Sequence, residues 1–538
     1  MKYLSEITRI VTNFREPNIE IIDETEALTK EDGVSKLYAG LKNGSIATDQ
    51  KAAEVIYGKP IIDTKYTSLK NRLKRRLLNT LFFLNIKPPA FSEFATALYQ
   101  SNKYVFIIKT LAALGGRNTA TKILQTALAH SQKYNLTSNT VEFLLQLRIY
   151  SNVLGNEKAY DEYDSQLKIA LRTFEAECTA QEYNDRVTIK FARSSAQQPE
   201  MIGLIDRYSK ELALLREKYD SRTLNYNYFR IQTLAYQVSR DYQASINTCI
   251  EAENYLLKNP HLFHKLQFGE FFLQKLDSFL NLRAYEEGKQ TVDKLRELYP
   301  ETNPNWFVYM EIYFYLTMHT FHFDEASSVY EKVIANPKFS LQPEHKKEHW
   351  KLCELYLSFA LSLDPLSASA PKGTLDLKKF LRNVPLYTKD KRGYNVAILI
   401  LQILLLLENN EFGEIIGRMD ALRTYRTRYL RAGSNKQSAL FFRMLQIMET
   451  NNFSYEMTKQ KSARYFEKMK STAAEYSEIQ DGLQVLPFDW LWNKILEMLR
   501  QKEEQKIITK VEKGRVGERT RSTVGGYAIP SASVGAHE

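Results

Sequence analysis

The chain of 538 residues exceeds the size at which a single hydrophobic core keeps growing, which excludes one small globule and leaves several compact domains or an elongated repeat array. Hydrophobic residues make up 44% and charged residues 25%, ordinary proportions for a soluble fold, whereas 21 Gly and 15 Pro are too few for the many turns of a β-rich architecture. The net charge of +11 is a mild excess for this length; it favours anionic partners without singling out nucleic acid.

In chain order, the first residues predict a short amphipathic helix. An extended stretch with Ile19, Ile21 and Ile22 follows Pro17. From Lys30 to Pro88 the pattern is a compact helical segment in which Leu37, Leu41, Ala52, Val55 and Ile56 line one face. It closes on a basic helix, Ser68 to Leu84, where Leu69, Leu73, Leu77 and Leu81 recur every four residues and Lys70, Arg72, Lys74, Arg75 and Arg76 spread over the other faces. Leu77, Leu78, Leu81, Phe82 and Phe83 demand burial, making this helix first a packing element. Pro88 and Pro89 then break the chain.

From about Phe91 to Arg500 nearly every segment has helical period, for example Ile205, Tyr208, Leu212, Leu215 and Tyr219 on one stripe. The stretch Asp364 to Gly393, with Pro365, Pro371, Gly373 and Pro385, interrupts the array as a linker or long loop. The apolar run Val396 to Leu407 is shorter than the roughly 20 residues of a spanning helix and reads as a buried helix. No signal-peptide core precedes it, because Lys2, Glu6 and Arg9 interrupt the N-terminal apolar positions. Cys178, Cys249 and Cys353 form no C-x-x-C pair; they fit a reducing, cytoplasmic setting as buried small apolar residues. Beyond Arg500 apolar residues thin out, and the last helix is expected to fray into a disordered tail.

Three consecutive segments share a grammar: Arg240 to Pro260, Arg283 to Pro300 and His322 to Pro337. In each, an aromatic (Tyr242, Tyr285, Phe323) precedes by three residues a small side chain (Ser245, Gly288, Ala326). Seven residues further stands Ala252, Leu295 or Val333. A small residue lets two helices cross closely, and the position seven further on faces the same way. Weaker echoes occur at Gly116 to Asn135, with Ala120 and Ala127, and at Asn409 to Tyr425. The pattern resembles the second half of the tetratricopeptide repeat, although the first-helix signature is largely missing and the spacing is about 40 rather than about 34 residues. With its basic N-terminal helix and the phrase RYLRAGSNKQSALFFRML, the whole chain also looks like a family of uncharacterised bacterial tetratricopeptide proteins, which brings no activity with it.

The resemblance implies an all-α fold, an α-solenoid of antiparallel helix pairs whose concave face holds a protein or peptide. The expected organisation is a basic helical module over 1–88, a first lobe of repeats over 91–363, a linker or loop over 364–393, a second lobe over 394–500, and a frayed helix and disordered tail over 501–538.

Two basic clusters are candidate partner or anion sites. One is Lys70, Arg72, Lys74, Arg75 and Arg76; the other is Arg423, Arg426, Arg428 and Arg431, interleaved with Tyr425 and Tyr429. Arg beside Tyr suits phosphate or stacked-base recognition, and equally protein hot spots or a helix end whose cations meet the dipole. His345, Glu348 and His349 match the H-x-x-E-H arrangement of inverted zinc peptidases. No third ligand is identifiable, so that segment reads as the solvated first turn of a helix. His319 and His322 read as packing residues flanking a turn. The expected function is a non-catalytic interaction scaffold without metal, cofactor or membrane insertion. A nucleic-acid-associated regulator is the alternative, and a zinc peptidase the minor one.

Overall fold

The computed structural model describes the backbone of residues 1–14, 33–87, 91–193, 199–263, 265–363, 394–429, 436–471 and 484–522. These residues form 21 α-helices and no β-strand, so the fold is all-α. The Ile19–Ile22 stretch, the Pro88–Pro89 break and the 364–393 linker lie outside the described residues. By internal contacts the chain divides into two compact units: Met1–Arg186 with Tyr208–Arg230 and Glu251–Phe268, and Val187–Arg207 with Ile231–Ile250 and Gly269–Glu538.

The first unit begins with α1 (Lys2–Phe14), α2 (Gly33–Lys42), α3 (Asp49–Tyr57) and α4 (Thr64–Thr80). Polar caps start two of them: Thr48 accepts from the Lys51 amide before α3, and Asp63 accepts from the Tyr66 amide at 2.7 Å before α4. Their apolar stripes meet in one core of Leu4, Ile7, Val11, Leu37, Leu73 and Leu77. Leu37, Leu41 and Ala52 are buried as expected, but Val55 is exposed.

Next come α5 (Glu93–Ala113), α6 (Arg117–Lys133), α7 (Thr137–Val153), the 37-residue α8 (Glu157–Arg193), α9 (Pro199–Lys218), α10 (Arg222–Ser239), α11 (Tyr242–Lys258) and α12 (Lys265–Leu282). They continue into α13 (Tyr285–Leu298), α14 (Pro304–His319), α15 (Phe323–Ala335), α16 (Glu344–Ser362) and α17 (Tyr394–Glu408). The last are α18 (Phe412–Tyr429), α19 (Lys436–Thr450), α20 (Tyr455–Ser471) and α21 (Phe488–Ser522). The final helix thus runs on to Ser522, and residues 523–538 lie outside the described residues.

Seven helix junctions share one turn. A single residue with left-handed backbone stands two positions before the next helix: Gly115, Asn135, Gly155, Arg240, Arg283, Phe321 and Asn410; an eighth junction, before Tyr455, closes with the same bond pair but has two such residues, Asn452 and Phe453. Around Arg283, for example, its N–H donates to the Leu280 carbonyl at 3.1 Å and the Ala284 N–H to the Phe279 carbonyl at 2.9 Å. This bond pair closes the C-terminus of each helix and sets the direction of the next. Only two of the seven positions are glycine, although a side chain there costs roughly 1 kcal/mol.

The small residues sit where the sequence grammar places them. Ser245, Gly288, Ala326 and Ala120 are buried three positions into their helices, and Ala252, Leu295 and Val333 are buried seven further on. At Gly288 a Cβ would stand 2.2 Å from a methyl of Leu316 on α14, so a larger residue would require that leucine side chain to move. Ser245 on α11 accepts a hydrogen bond from Ser278 on α12 at 3.1 Å.

In the second unit, α14 is buried around nearly its whole circumference from Trp306 to His319. On α17, every residue from Ala397 to Leu407 is buried, Gln402 included, which matches the reading of that apolar run. Helices apolar on all sides need neighbours on all sides, and α17 receives them from α16, α18 and α21. Among the described residues no helix is long and apolar enough to cross a membrane.

Candidate functional site

The basic helix α4 is anchored before it offers charge outward. Lys70 reaches Asp49 on α3 at 2.6 Å, and the Tyr66 hydroxyl donates to the same carboxylate at 2.7 Å. Burial alone would raise the Asp49 carboxyl, but hydrogen bonds from Lys70, Tyr66 and the terminal amine prevail and hold it at about 2. Lys70 is therefore a structural cation. The Lys74 ammonium stands 5.2 Å over the exposed ring of Tyr3.

Arg72, Lys74 and Arg75 are exposed, whereas Arg76 is half-buried. Arg72, Arg75, Asn79 and Phe82 follow steps of three and four and form one stripe opposite the buried Leu69, Leu73 and Leu77. At its end Phe82 and Phe83 are exposed, contrary to the burial expected of them. The regular helix stops at Thr80, and a 3-10 turn, Leu81–Phe83, follows. There the Tyr99 hydroxyl donates to the Leu81 carbonyl and accepts from the Leu84 amide, both at 2.9 Å. Phe82 stands five residues after Leu77, off the buried stripe, and its ring meets the exposed ring of Phe106 on α5 at 4.9 Å.

The second cluster is only partly within view. Arg423 donates to Asp420 at 2.7 Å and also pairs with Glu449 on α19, so it ties α18 to its neighbour. Tyr425, Arg426, Arg428 and Tyr429 continue the backbone of α18, but their side chains lie outside the described residues, as does all of Arg431.

The H-x-x-E-H segment starts α16 directly after Pro343, and the two imidazoles part company. His345 is half-buried, but His349 is buried, which corrects the reading of a solvated turn. The Nε2 of His349 stands 3.5 Å from Glu311 and from the Tyr315 hydroxyl on α14, and 3.7 Å from Cys353. Lys346 holds the same Glu311 at 2.7 Å, so this turn packs α16 onto α14. Among the described residues no group of three His, Cys, Asp or Glu is placed to hold a metal ion. Cys249 and Cys353 are buried, and burial pushes the Cys353 thiol well up; Cys178, expected to be buried, is exposed.

No family model, curated protein or solved structure matches the chain. Its functional reading therefore rests on its own geometry.

Two groups escaped the sequence reading, and each joins residues far apart in the chain. In the first unit, Glu177 of α8 accepts from the Thr137 and Ser221 hydroxyls, each at 2.6 Å. Burial raises its carboxyl, against the opposing pull of those hydroxyls and of Arg222. Arg222 lies 3.9 Å over the Phe94 ring and donates to the Leu262 carbonyl at 2.6 Å and to Gln267 at 3.1 Å.

In the second unit, residues 484–490 return onto two of the shared turns. Arg283 grips Asp489 through two bonds of 3.1 Å, and Phe321 stacks on Trp490 at 5.9 Å. Beside them His319 donates its Nε2–H to the Gln484 carbonyl at 2.9 Å, and burial lowers this imidazole to about 4. His322 stacks on Tyr285 at 3.5 Å, so both histidines pack beside turns. The signal available in the sequence was the presence of Arg and Phe where glycine suits the turn better.

Proposed function

We propose that the chain is a non-catalytic scaffold, a tetratricopeptide-like α-solenoid of antiparallel helix pairs that holds a protein or peptide, and that it works in the cytoplasm. The recurring helix–turn–helix unit carries this reading: seven junctions share one turn, and small residues mark the helix crossings. Units that bury their small-residue faces against neighbours leave an extended surface available for partners. The return of residues 484–490 onto the turns at Arg283 and Phe321 goes beyond simple neighbour stacking and braces the array. A protein partner is further favoured by exposed apolar residues on α7, where Ile149 and Val153 stand four apart on one stripe and Leu154 follows.

The test is affinity capture of the tagged full chain from its native cells at low and moderate salt. A partner recovered in stoichiometric amount under both conditions is expected. Recovery of none at either salt contradicts the proposal.

A further inference from the structure

Where α19 packs along α20, two guanidinium groups converge on one phenol. The Gln437 amide donates to the Met469 carbonyl at 3.2 Å and fixes the register of this antiparallel pair. Six residues further along α19 stands Arg443, opposite the part of α20 that lies as far before Met469, where Arg464 and Tyr465 are found. Arg464 donates to the Tyr465 hydroxyl at 2.7 Å, and its guanidinium lies 4.6 Å from the centre of the same ring. Arg443 reaches that hydroxyl from the other helix; the two cations, Arg443 before Arg464, draw the phenol below its ordinary range.

No carboxylate answers this charge. Among the described residues neither arginine has an ion pair, and Arg443 otherwise donates only to Gln446, at 3.3 Å. From Lys436 to Met448 there is no acidic residue. Glu449 is held by Arg423, and Glu467 of α20 stands 3.9 Å from Lys470. Lys461, about one turn before Arg464, adds a third exposed cation and donates to Asn451 at 2.6 Å. Both arginines are exposed and would gain by turning apart into water, since like charges repel. Here a phenol oxygen, which can accept from two donors, holds them together.

We propose that Arg443, Arg464 and Tyr465 bind a phosphate dianion, either inorganic phosphate or the monoester of a small molecule, with each guanidinium donating to phosphate oxygens and the Tyr465 O–H donating to another. Two cations match two negative charges. A carboxylate carries one charge, as does each phosphodiester of a nucleic acid, and would leave half of the positive charge unanswered. Arginine suits the role because its planar fork donates two parallel bonds to such an oxyanion. The site lies within one helix pair of the second unit and does not depend on the scaffold reading.

The experiment titrates the full chain with inorganic phosphate and with O-phosphoserine at low salt, followed by phosphorus NMR, and tests acetate as a competitor. Circular dichroism checks the folding of every variant. Saturable binding of a phosphate is expected: uptake of the free ion alone identifies inorganic phosphate as the ligand, and uptake of O-phosphoserine identifies a phosphorylated compound. Arg443→Gln and Arg464→Gln should each weaken binding by at least about tenfold. Arg464→Lys should recover only part of that loss, because an ammonium keeps the charge without the fork. Tyr465→Phe should weaken binding about two- to tenfold. Lys459→Gln, which removes one charge elsewhere on α20, should change it by less than about twofold. Absence of saturable binding of either phosphate overturns the proposal. So does a Lys459→Gln effect as large as that of Arg464→Gln, or displacement of phosphate by an equal concentration of acetate.

Discussion

The two compact units fasten residues distant in sequence by different chemistry. In the first, the fastener joins a half-buried cation to a buried carboxyl: the Arg222 guanidinium lies against Phe94 and donates to the Leu262 carbonyl, beside Glu177, which takes two hydroxyl bonds. In the second, a neutral imidazole, His319, holds the Gln484 carbonyl, with aromatic stacking and a half-exposed ion pair at its rim. A buried charge is tolerable only while its partners are all in place, whereas a neutral hydrogen bond loses little if its surroundings relax.

The contrast extends to pH. Glu177 has a raised carboxyl in the folded state, so its contribution is fullest in acid and declines as pH climbs above the ordinary glutamate range. His319 has a lowered imidazole, so its contribution is present above about 6.5 and is lost as pH falls through about 4.

The largest expected effect breaks the charged fastener. Arg222→Ala removes the cation and the Phe94 contact together and should cost about 3–5 kcal/mol in equilibrium urea unfolding. A loss below about 1 kcal/mol would mean that the cluster is a bystander. Next comes Asp277, a buried carboxyl on α12 whose Oδ2 has no hydrogen-bond partner among the described residues, and which burial pushes up to about 7. Ionising it at alkaline pH opposes folding, so Asp277→Asn should raise stability at pH 8 by up to about 4 kcal/mol and change little at pH 4. An equal effect at both pH values would point to packing instead of charge.

His319→Gln sharpens the comparison from the other side. The native protein should lose about 3 kcal/mol between pH 7 and pH 4 through this imidazole alone, and the variant's acid limb should be flatter by that amount. An unchanged limb assigns acid sensitivity elsewhere. The smallest effect concerns the shared turn: Asn410→Gly relieves a left-handed backbone at 63° and should stabilise by up to about 1 kcal/mol. Destabilisation in a thermal melt would show that the Asn410 side chain has a role of its own.

How much the sequence disclosed follows from the range of each interaction. Helical period and the small crossing residues Ser245, Gly288 and Ala326 are local patterns, and their burial follows them. The turns were less legible, because the usual glycine signal is replaced at five positions by Asn135, Arg240, Arg283, Phe321 and Asn410. The apolar character of Phe82 points inward, but its five-residue step from Leu77 places it off the buried stripe. The burial of His349 is invisible in its own helix, because its neighbours Glu311 and Tyr315 belong to a different one. Arg423 looked available for anions for a similar reason: Glu449, its partner on α19, lies 26 positions away. Spacing within one helix gives no information about such pairs.

The scaffold reading stands or falls most directly on hydrogen–deuterium exchange of the full chain with and without its captured partner. The account predicts slowed exchange across consecutive helix pairs between α6 and α15, with the N-terminal helices unaffected. Protection absent from the repeats, or confined to α1–α4, would contradict it.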